Sequence, residues 1–146
     1  MAFFIGWEIT CLGRFESNDP FNAGHLWQSI EVRRDGRPLF LDRLILVAPS
    51  MLQTGIAGFQ GRSVFGSFVV SANVMGNDAF TDALVAWQQS ISGGVDVAMT
   101  QKPDVWIARA TGNKAENVRE VFEVLWRKLR PRALGRRPCE PCIWRT

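Results

Sequence analysis

The sequence predicts an α+β fold that is mainly β: a β-rich meander followed by a β-α-β-β-α segment with two helices. In the first half, short apolar segments alternate with turn residues, whereas the second half contains two stretches with apolar residues at helical spacing. A chain of 146 residues with 47% hydrophobic content has enough apolar material for a core, and no long linker divides it. We therefore expect residues 1–146 to form a single unit.

The first strands are indicated by short apolar runs between turns. Residues 7–12 form one such run, and residues 26–32 alternate between apolar and polar as a half-buried strand does. The pair Asp35-Gly36 accepts the positive φ of a tight hairpin, so residues 38–47 are expected to return antiparallel.

Two segments complete the first half. Residues 49–61 contain three glycines and are expected to form a loop. Residues 63–72 are rich in β-branched and aromatic side chains and contain no charge, which predicts a strand buried on both faces.

The second half changes to the helical period. A cap at Asn77 or Asp78 starts a predicted helix that stops at residues 92–94. Its apolar stripe consists of Phe80, Ala83, Leu84, Trp87 and Ile91. Residues 95–99 and 105–110 then predict a hairpin of two short strands.

The last predicted helix begins at a capping-box spacing, Asn113 with Glu116, and ends before Pro131. Its apolar stripe is Val118, Val121, Phe122, Leu125 and Leu129. A Pro- and Arg-rich extension follows. Because apolar residues near a free end would expose surface that favours burial, we expect this extension to dock on the body or on a partner.

Charge is uneven along the chain. The net +3 combines +6 in residues 127–146, where seven basic residues face Glu140 alone, with −3 over the rest. Such a tail, with Trp144 inside it and Trp126 directly before it, leaves open an alternative function as a small basic nucleic-acid-binding module.

Targeting and redox signals are missing from the sequence. No apolar run reaches membrane length, and the first residues lack the basic region of a secretory signal. Three cysteines, an odd number, do not form a disulfide framework. We therefore expect a soluble, cytoplasmic protein.

No set of residues points to catalysis. His25 is the only histidine, no glycine-rich phosphate loop is present, and the serines lack a partner base, so we expect a binding or scaffolding protein and not an enzyme. Cys139 and Cys142 have the spacing of a zinc knuckle, but only Cys11 and His25 remain to complete a tetrahedral site. We therefore assign no firm metal site.

Residues 11–14 lead into a polar loop, residues 15–21, and this stretch carries Arg14, Glu16 and Asp19 between strands. Asp19-Pro20 is typical of an ordinary turn. The alternative is that oxygen ligands on this loop hold a divalent cation and pass it on.

These segments carry a resemblance to the urease accessory proteins UreD, also called UreH. The motifs are residues 6–14 (GWEITCLGR), 34–39 (RDGRPL), 58–67 (GFQGRSVFGS) and 129–146, which ends in IWRT. The resemblance implies a non-catalytic chaperone of nickel insertion that binds the urease apoprotein and UreF, and through UreF the GTPase UreG. It implies no tightly bound cofactor, with nickel handled only transiently.

The resemblance also implies roles for particular residues. Asp19 stands where the family usually has Glu, which makes it the first candidate on a nickel route. Further candidates near this loop are Glu16, Arg14 and His25. The C-terminal signature implies partner docking by Arg136, Ile143, Trp144 and Arg145. Cys142 stands where the family usually has Arg, so the cysteine spacing is not expected to mark a site.

UreD proteins are roughly twice this long, and their N-terminal half has no counterpart here. The chain is therefore expected to be a truncated part of a larger β-rich fold, with open strand edges and exposed apolar faces. We expect the chain by itself to be poorly soluble or oligomeric.

Overall fold

The computed structural model describes residues 3–14, 17–74 and 78–145. In chain order its strands are β1 (Ile5–Cys11), β2 (Gly13–Arg14), β3 (Asp19–Pro20), β4 (Gly24–Arg34), β5 (Arg37–Ala48), β6 (Val64–Ser71), β7 (Val95–Gln101) and β8 (Val105–Gly112). The helices are α1 (Met51–Thr54), α2 (Asp78–Ser90) and α3 (Ala115–Leu134), with 3-10 turns at Ala72–Val74 and Cys142–Arg145.

A four-stranded antiparallel sheet in the order β1-β6-β8-β7 forms the centre of the molecule. The long hairpin β4-β5 is a separate two-stranded ladder, and β2-β3 is a third, two-residue ladder. The mainly-β α+β class is confirmed. Because β1 pairs with β6, the chain leaves the central sheet after its first strand, builds the hairpin, and then returns.

One face of the central sheet is covered by helices. Helix α3 packs against β1, β6 and β8, and α2 packs against β7. Phe122 of α3 is fully buried and its ring lies 5.7 Å from that of Phe68. A Cβ added at Gly66 would lie 2.6 Å from the Phe122 ring, so this strand position needs glycine for α3 to approach.

The hairpin β4-β5 covers the opposite face. Its inward side chains form two apolar clusters with the sheet. Near the turn, Val32 and Phe40 pack on Ile107, and at the other end Leu46 packs with Phe65. The two clusters leave a stretch between them that apolar side chains do not fill.

Several local predictions are confirmed. Asp35 and Gly36 have φ of 50° and 76° and join β4 to β5. Strand β6 is buried on both faces, and β7 pairs with β8 as a hairpin. The first residue of α2 is Asp78, and the residue before it, the proposed cap Asn77, lies outside the described residues, so the predicted cap stays a prediction.

The predicted start and end of α3 are wrong. Its N-cap is Lys114, without a side-chain capping bond, and not Asn113. The helix continues through Pro131 to Leu134, because proline in the final turn loses a single intrahelical bond while Ala133 still gains burial. Gly135, with φ of 62°, ends it by donating to the Pro131 carbonyl at 2.8 Å.

The segment predicted as a loop contains the single turn α1. Gln53 stabilises it, since its side-chain oxygen accepts from Ser50 N at 3.0 Å and its Nε2 donates to the Phe21 carbonyl at 2.8 Å. In the predicted apolar stripe of α2, Leu84 is buried, but Ala83 is exposed. None of the helices in the described ranges has the length and apolar character needed to cross a membrane.

Candidate functional site

A row of polar side chains crosses the hairpin-facing surface of the central sheet. The strand register places Glu8 opposite Ser67, and Ser67 opposite Arg109. The neighbouring row contains Val69 opposite Ile107, which is apolar. Because side chains alternate along a strand, the three polar residues share one face and point away from the helices.

The hairpin meets this row with polar groups of its own. Gln28 Nε2 donates to Glu8 Oε1 at 2.6 Å and to Thr10 Oγ1 at 3.0 Å. Arg109 Nη2 donates to Asp42 Oδ2 at 2.7 Å. These contacts tie the two layers together between the apolar clusters. The interlayer polar site is defined here as Glu8, Thr10, Gln28, Asp42, Ser67 and Arg109.

Two cavities open onto the interlayer polar site. One, of about 240 Å³, is lined by Gln28, Asp42, Ser67 and Arg109 together with apolar side chains. The other, of about 210 Å³, lies beside Glu8, and Ser67 lines it as well. Each has room for several waters, so the polar groups inside remain accessible to a small ion.

Glu8 is the titratable group most affected by this setting. Burial raises the pKa of its carboxyl above the usual value for glutamate, and the negative charge of Asp42 raises it further. The hydrogen bond from Gln28 opposes this shift by favouring the charged form. Glu8 therefore holds its proton to a higher pH than an ordinary surface glutamate.

The polar loop folds into the small ladder β2-β3. Asp19 Oδ2 accepts from Arg14 Nε at 3.1 Å and from Arg14 Nη2 at 2.8 Å, and both side chains are exposed. Gly13 has φ of 80°, and a Cβ there would lie 2.4 Å from the Asp19 carbonyl oxygen. The glycine thus permits the close approach that pairs arginine with carboxylate.

Of the other two candidates of the nickel route, only His25 lies among the described residues. Glu16 lies outside the described residues. His25 is exposed near the start of β4, opposite Val47, on the side of the hairpin that faces away from the sheet. The structure therefore brings together Arg14 and Asp19 and places His25 elsewhere.

A third cavity, of about 300 Å³, lies between the polar loop and the start of α3. Among its lining residues are Cys11, Arg14, Ser17 and Glu116. The loop thus borders an open cleft, in which Arg14 is shared with the ion pair to Asp19.

The cysteines are all free and exposed: Cys11 ends β1, whereas Cys139 and Cys142 lie beyond α3. Across residues 3–14, 17–74 and 78–145, no group of three or more His, Cys, Asp and Glu side chains is placed to hold a metal ion.

The C-terminal extension folds back on the body. Trp144 packs against Trp7 at 5.3 Å and against Trp126 at 4.9 Å between ring centroids. Arg127 on α3 makes ion pairs with Glu140 at 2.7 Å and Glu123 at 3.0 Å. Of the two docking surfaces expected for the extension, the body is thus one.

The assignment of partner docking to this extension stays a prediction. Arg136 is exposed and Trp144 is half-buried. The backbone of Ile143 and Arg145 lies in the final 3-10 turn, but their side chains are outside the described part.

Sequence reasoning missed the interlayer polar site. A signal was present in the alternation of β4, where Gln28 occupies the same face as Leu26 and Ile30. A polar residue at an apolar position of a strand indicates a buried partner. The partner itself, Glu8 on a distant strand, follows only from the fold.

Comparison with known proteins gives one family. The sequence model of the family described as UreD urease accessory protein matches residues 1–145. The chain is 36% identical over 142 residues to urease accessory protein UreD of Nitrosococcus oceani, covering 97% of this chain and 46% of that protein. It is 34% identical over 145 residues to the protein of that name from Methylobacillus flagellatus, covering 99% and 50%.

A third relative, urease accessory protein UreD of Pseudomonas fluorescens, is 34% identical over 140 residues, which covers 96% of this chain and 48% of that protein. The chain thus spans about half the length of the curated relatives it matches.

Proposed function

The chain belongs to the UreD urease accessory protein family, and we propose that it acts in the cytoplasm as a non-catalytic scaffold of urease maturation. In this role it binds the urease apoprotein and UreF, and through UreF the GTPase UreG, and assists the insertion of nickel. The observation that carries the proposal is the family match over residues 1–145. The relatives are named as accessory proteins, a name that describes assistance to urease.

The interlayer polar site supports transient handling of nickel as cargo. It offers the carboxylates of Glu8 and Asp42 and the amide oxygen of Gln28, which are oxygen ligands for a divalent cation. The set is incomplete, and Arg109 already neutralises Asp42. A partial, charge-compensated donor set favours weak binding and fast release, which a protein that passes an ion on requires.

Protons compete with nickel at this site. A carboxylate must lose its proton to bind a metal, and burial raises the pKa of Glu8. Nickel affinity at the interlayer polar site is therefore proposed to rise with pH across the range in which Glu8 deprotonates.

Asp19, the first candidate on the nickel route, is proposed as a further carboxylate beside those of Glu8 and Asp42. Its carboxylate accepts two hydrogen bonds from Arg14. An arriving cation would displace the guanidinium, which is exposed and free to swing into solvent. The exchange of one cation for another keeps the local charge small at each step.

The alternative function in nucleic-acid binding is not favoured, because the two tryptophans it needs pack within the protein. Trp126 is buried, and Trp144 packs on it and on Trp7. Bases need exposed ring faces for stacking. In addition, two glutamates neutralise Arg127, so the tail presents less free positive charge than its composition indicates.

The experiment places the chain in a full-length context. A chimera replaces the 142-residue matched stretch of the Nitrosococcus oceani protein with this chain. It is expressed with urease subunits and the remaining accessory proteins in a host that lacks its own UreD. We expect urease activity and nickel content to be restored. Activity at the level of the host without UreD, from a chimera that is soluble, would contradict the proposal.

Asp19→Ala in the chimera tests the route. We expect urease activity and nickel content to fall several-fold while UreF still co-purifies with the chimera. Asp82→Ala, a change of an exposed carboxylate on α2, is the matched control and is expected to leave activation unchanged. Equal activation by the two variants would return Asp19 to the role of a turn residue.

A further inference from the structure

The side of the β4-β5 hairpin that faces away from the sheet is exposed and apolar. Trp27 is 76% exposed and lies directly opposite Ile45, which is 67% exposed. On the same side of β5, Leu41 and Val47 are exposed to 48% and 45%. Outward positions of an edge layer are normally polar, so four large apolar side chains on one ribbon indicate a covered surface.

Two further apolar side chains are exposed in the segment after β5: Met51 in α1 and Ile56 just after it are 80% and 89% exposed. The hairpin apolar face is defined here as Trp27, Leu41, Ile45 and Val47. Single exposed apolar residues are common, but Trp27, Ile45 and Val47 are neighbours on one side of the ribbon, and a cluster of this kind marks an interaction surface.

The backbone of the hairpin is also incomplete. Among the described strands, β4 and β5 bond only to each other, so each has one edge with unpaired N–H and C=O groups. A two-stranded ribbon is marginal by itself and gains stability from further strands or from a second covered face. The inward face is already covered by the central sheet, so the hairpin apolar face is the one where a further layer can add stability.

The size of the relatives indicates the occupant. The chain covers 46% to 50% of the relatives compared above, so a similar length of polypeptide in each lies outside the match. In those proteins that polypeptide is present once for every copy of the matched part. A second copy of this chain could also cover the face with its own hairpin, but the length of the relatives favours the unmatched polypeptide as the occupant.

We propose that the hairpin apolar face docks the half of a UreD-length protein that this chain does not match, whether that half is on the same polypeptide or on another. The occupant presents an apolar surface that covers Trp27 and Ile45. This inference stands on the exposed face and on the length of the relatives, and it does not depend on nickel transfer.

The test uses the unmatched part of the Nitrosococcus oceani protein as the partner, expressed together with the tagged chain. We expect the two to co-purify in equal amounts. Trp27→Ser combined with Ile45→Thr should reduce the recovered partner at least tenfold. The matched control is Val85→Ser, an exposed apolar residue on α2, which should recover as much partner as the unmodified chain.

Hydrogen exchange on the unmodified complex gives a reading that needs no substitution. Protection should increase in β4 and β5 when the partner is bound, with no change in α3. This keeps the proposal testable if the double variant folds poorly.

Three outcomes would overturn the proposal: no co-purification, equal recovery with the double variant, or protection confined to α3. A dimer of the chain alone that the double variant dissociates, with no partner recovered, would make a second copy the occupant. The full-length chimera tests urease activation in a separate experiment that does not depend on these outcomes. Failure of this inference can therefore be distinguished from failure of the proposed function.

Discussion

The two faces of the central sheet differ in chemistry although the same strands supply both. Toward the helices, Phe68 and Phe122 belong to a large apolar core. Toward the hairpin, two smaller apolar clusters flank the interlayer polar site and its cavities. On β6 the adjacent residues Ser67 and Phe68 point to opposite sides, so one strand serves both faces.

The helical side of the sheet mainly stabilises the fold, whereas the hairpin side is suited to binding and release. Closely packed apolar side chains on the helical side hold the sheet together, since each buried large side chain contributes about 1.5–3 kcal/mol. The hairpin side contains polar groups, two cavities that have room for water, and an exposed outer surface. Regions with fewer buried apolar contacts open more easily, which suits binding and release.

The largest expected effect is on the helical side. Phe122→Ala should lower the free energy of unfolding by about 3–5 kcal/mol, because it leaves a cavity against Phe68 and Gly66. Urea titration followed by circular dichroism measures the change. The control Val85→Ala alters an exposed residue of α2 and should change stability by less than about 0.5 kcal/mol. A loss below 1 kcal/mol at Phe122 would show that the helical core does not hold the sheet.

The next effect compares the hairpin side directly. Leu46 of β5 is fully buried on the inward face of the hairpin. Leu46→Ala should lower the free energy of unfolding by about 2–3 kcal/mol. We expect less than for Phe122 because the smaller side chain leaves a smaller cavity and the two-stranded layer can relax around it. The same urea titration applies. A cost equal to or above that of Phe122→Ala would remove the proposed asymmetry between the faces.

A smaller effect is expected at the C-terminal extension. Trp144→Ala removes two aromatic contacts, each of about 0.5–1.5 kcal/mol, and should release the segment from β1 and α3. Limited trypsin digestion should then cut faster after Arg136 than in the unmodified chain. Cys142→Ala, a change of an exposed residue in the same turn, is the control. Unchanged cleavage would mean that Trp144 does not hold the extension.

The smallest effect concerns pH. The pKa of Glu8 is raised in the folded state, so the folded state binds the proton more tightly than the unfolded chain does. Stability contributed by protonated Glu8 is therefore present at low pH and lost as pH rises from the ordinary glutamate pKa through the raised one. Glu8→Gln keeps a neutral acceptor for Gln28 and should remove this slope.

The pH prediction is checked by urea titrations of both proteins at a series of pH values. The two should be closest in stability at acidic pH, and the variant should gain relative to the unmodified chain as pH rises through this window. A constant difference across the series would place Glu8 in a solvent-like setting and weaken the contrast between the two faces.

Much of the local structure is predictable from the sequence. Asp35-Gly36 is a turn because few other pairs accept its positive φ angles, and residues 64–71 form a buried strand because most of their side chains are apolar and β-branched or aromatic. The start of α3 was mispredicted, since the spacing of Asn113 and Glu116 matches a capping box but the backbone enters the helix one residue later.

The candidate site was predictable only in part. Arg14 and Asp19 are near each other in the chain, so a polar loop containing both is visible in the sequence, and the structure pairs them. The interlayer polar site depends on Glu8 meeting Gln28, and on Arg109 meeting Asp42, across large separations in sequence. Local pattern contains no information on which distant strand will lie opposite.

By itself the sequence determined the type and order of most elements, the charge asymmetry and the family, because propensity, period and motif are local properties. Only the tertiary structure decided that β1 pairs with β6, that the hairpin forms a separate layer, and that the C-terminal extension returns to the body. Such pairings depend on the summed burial of many residues set against the entropy of closing long loops. That balance places a polar site on one face of the sheet and an apolar core on the other.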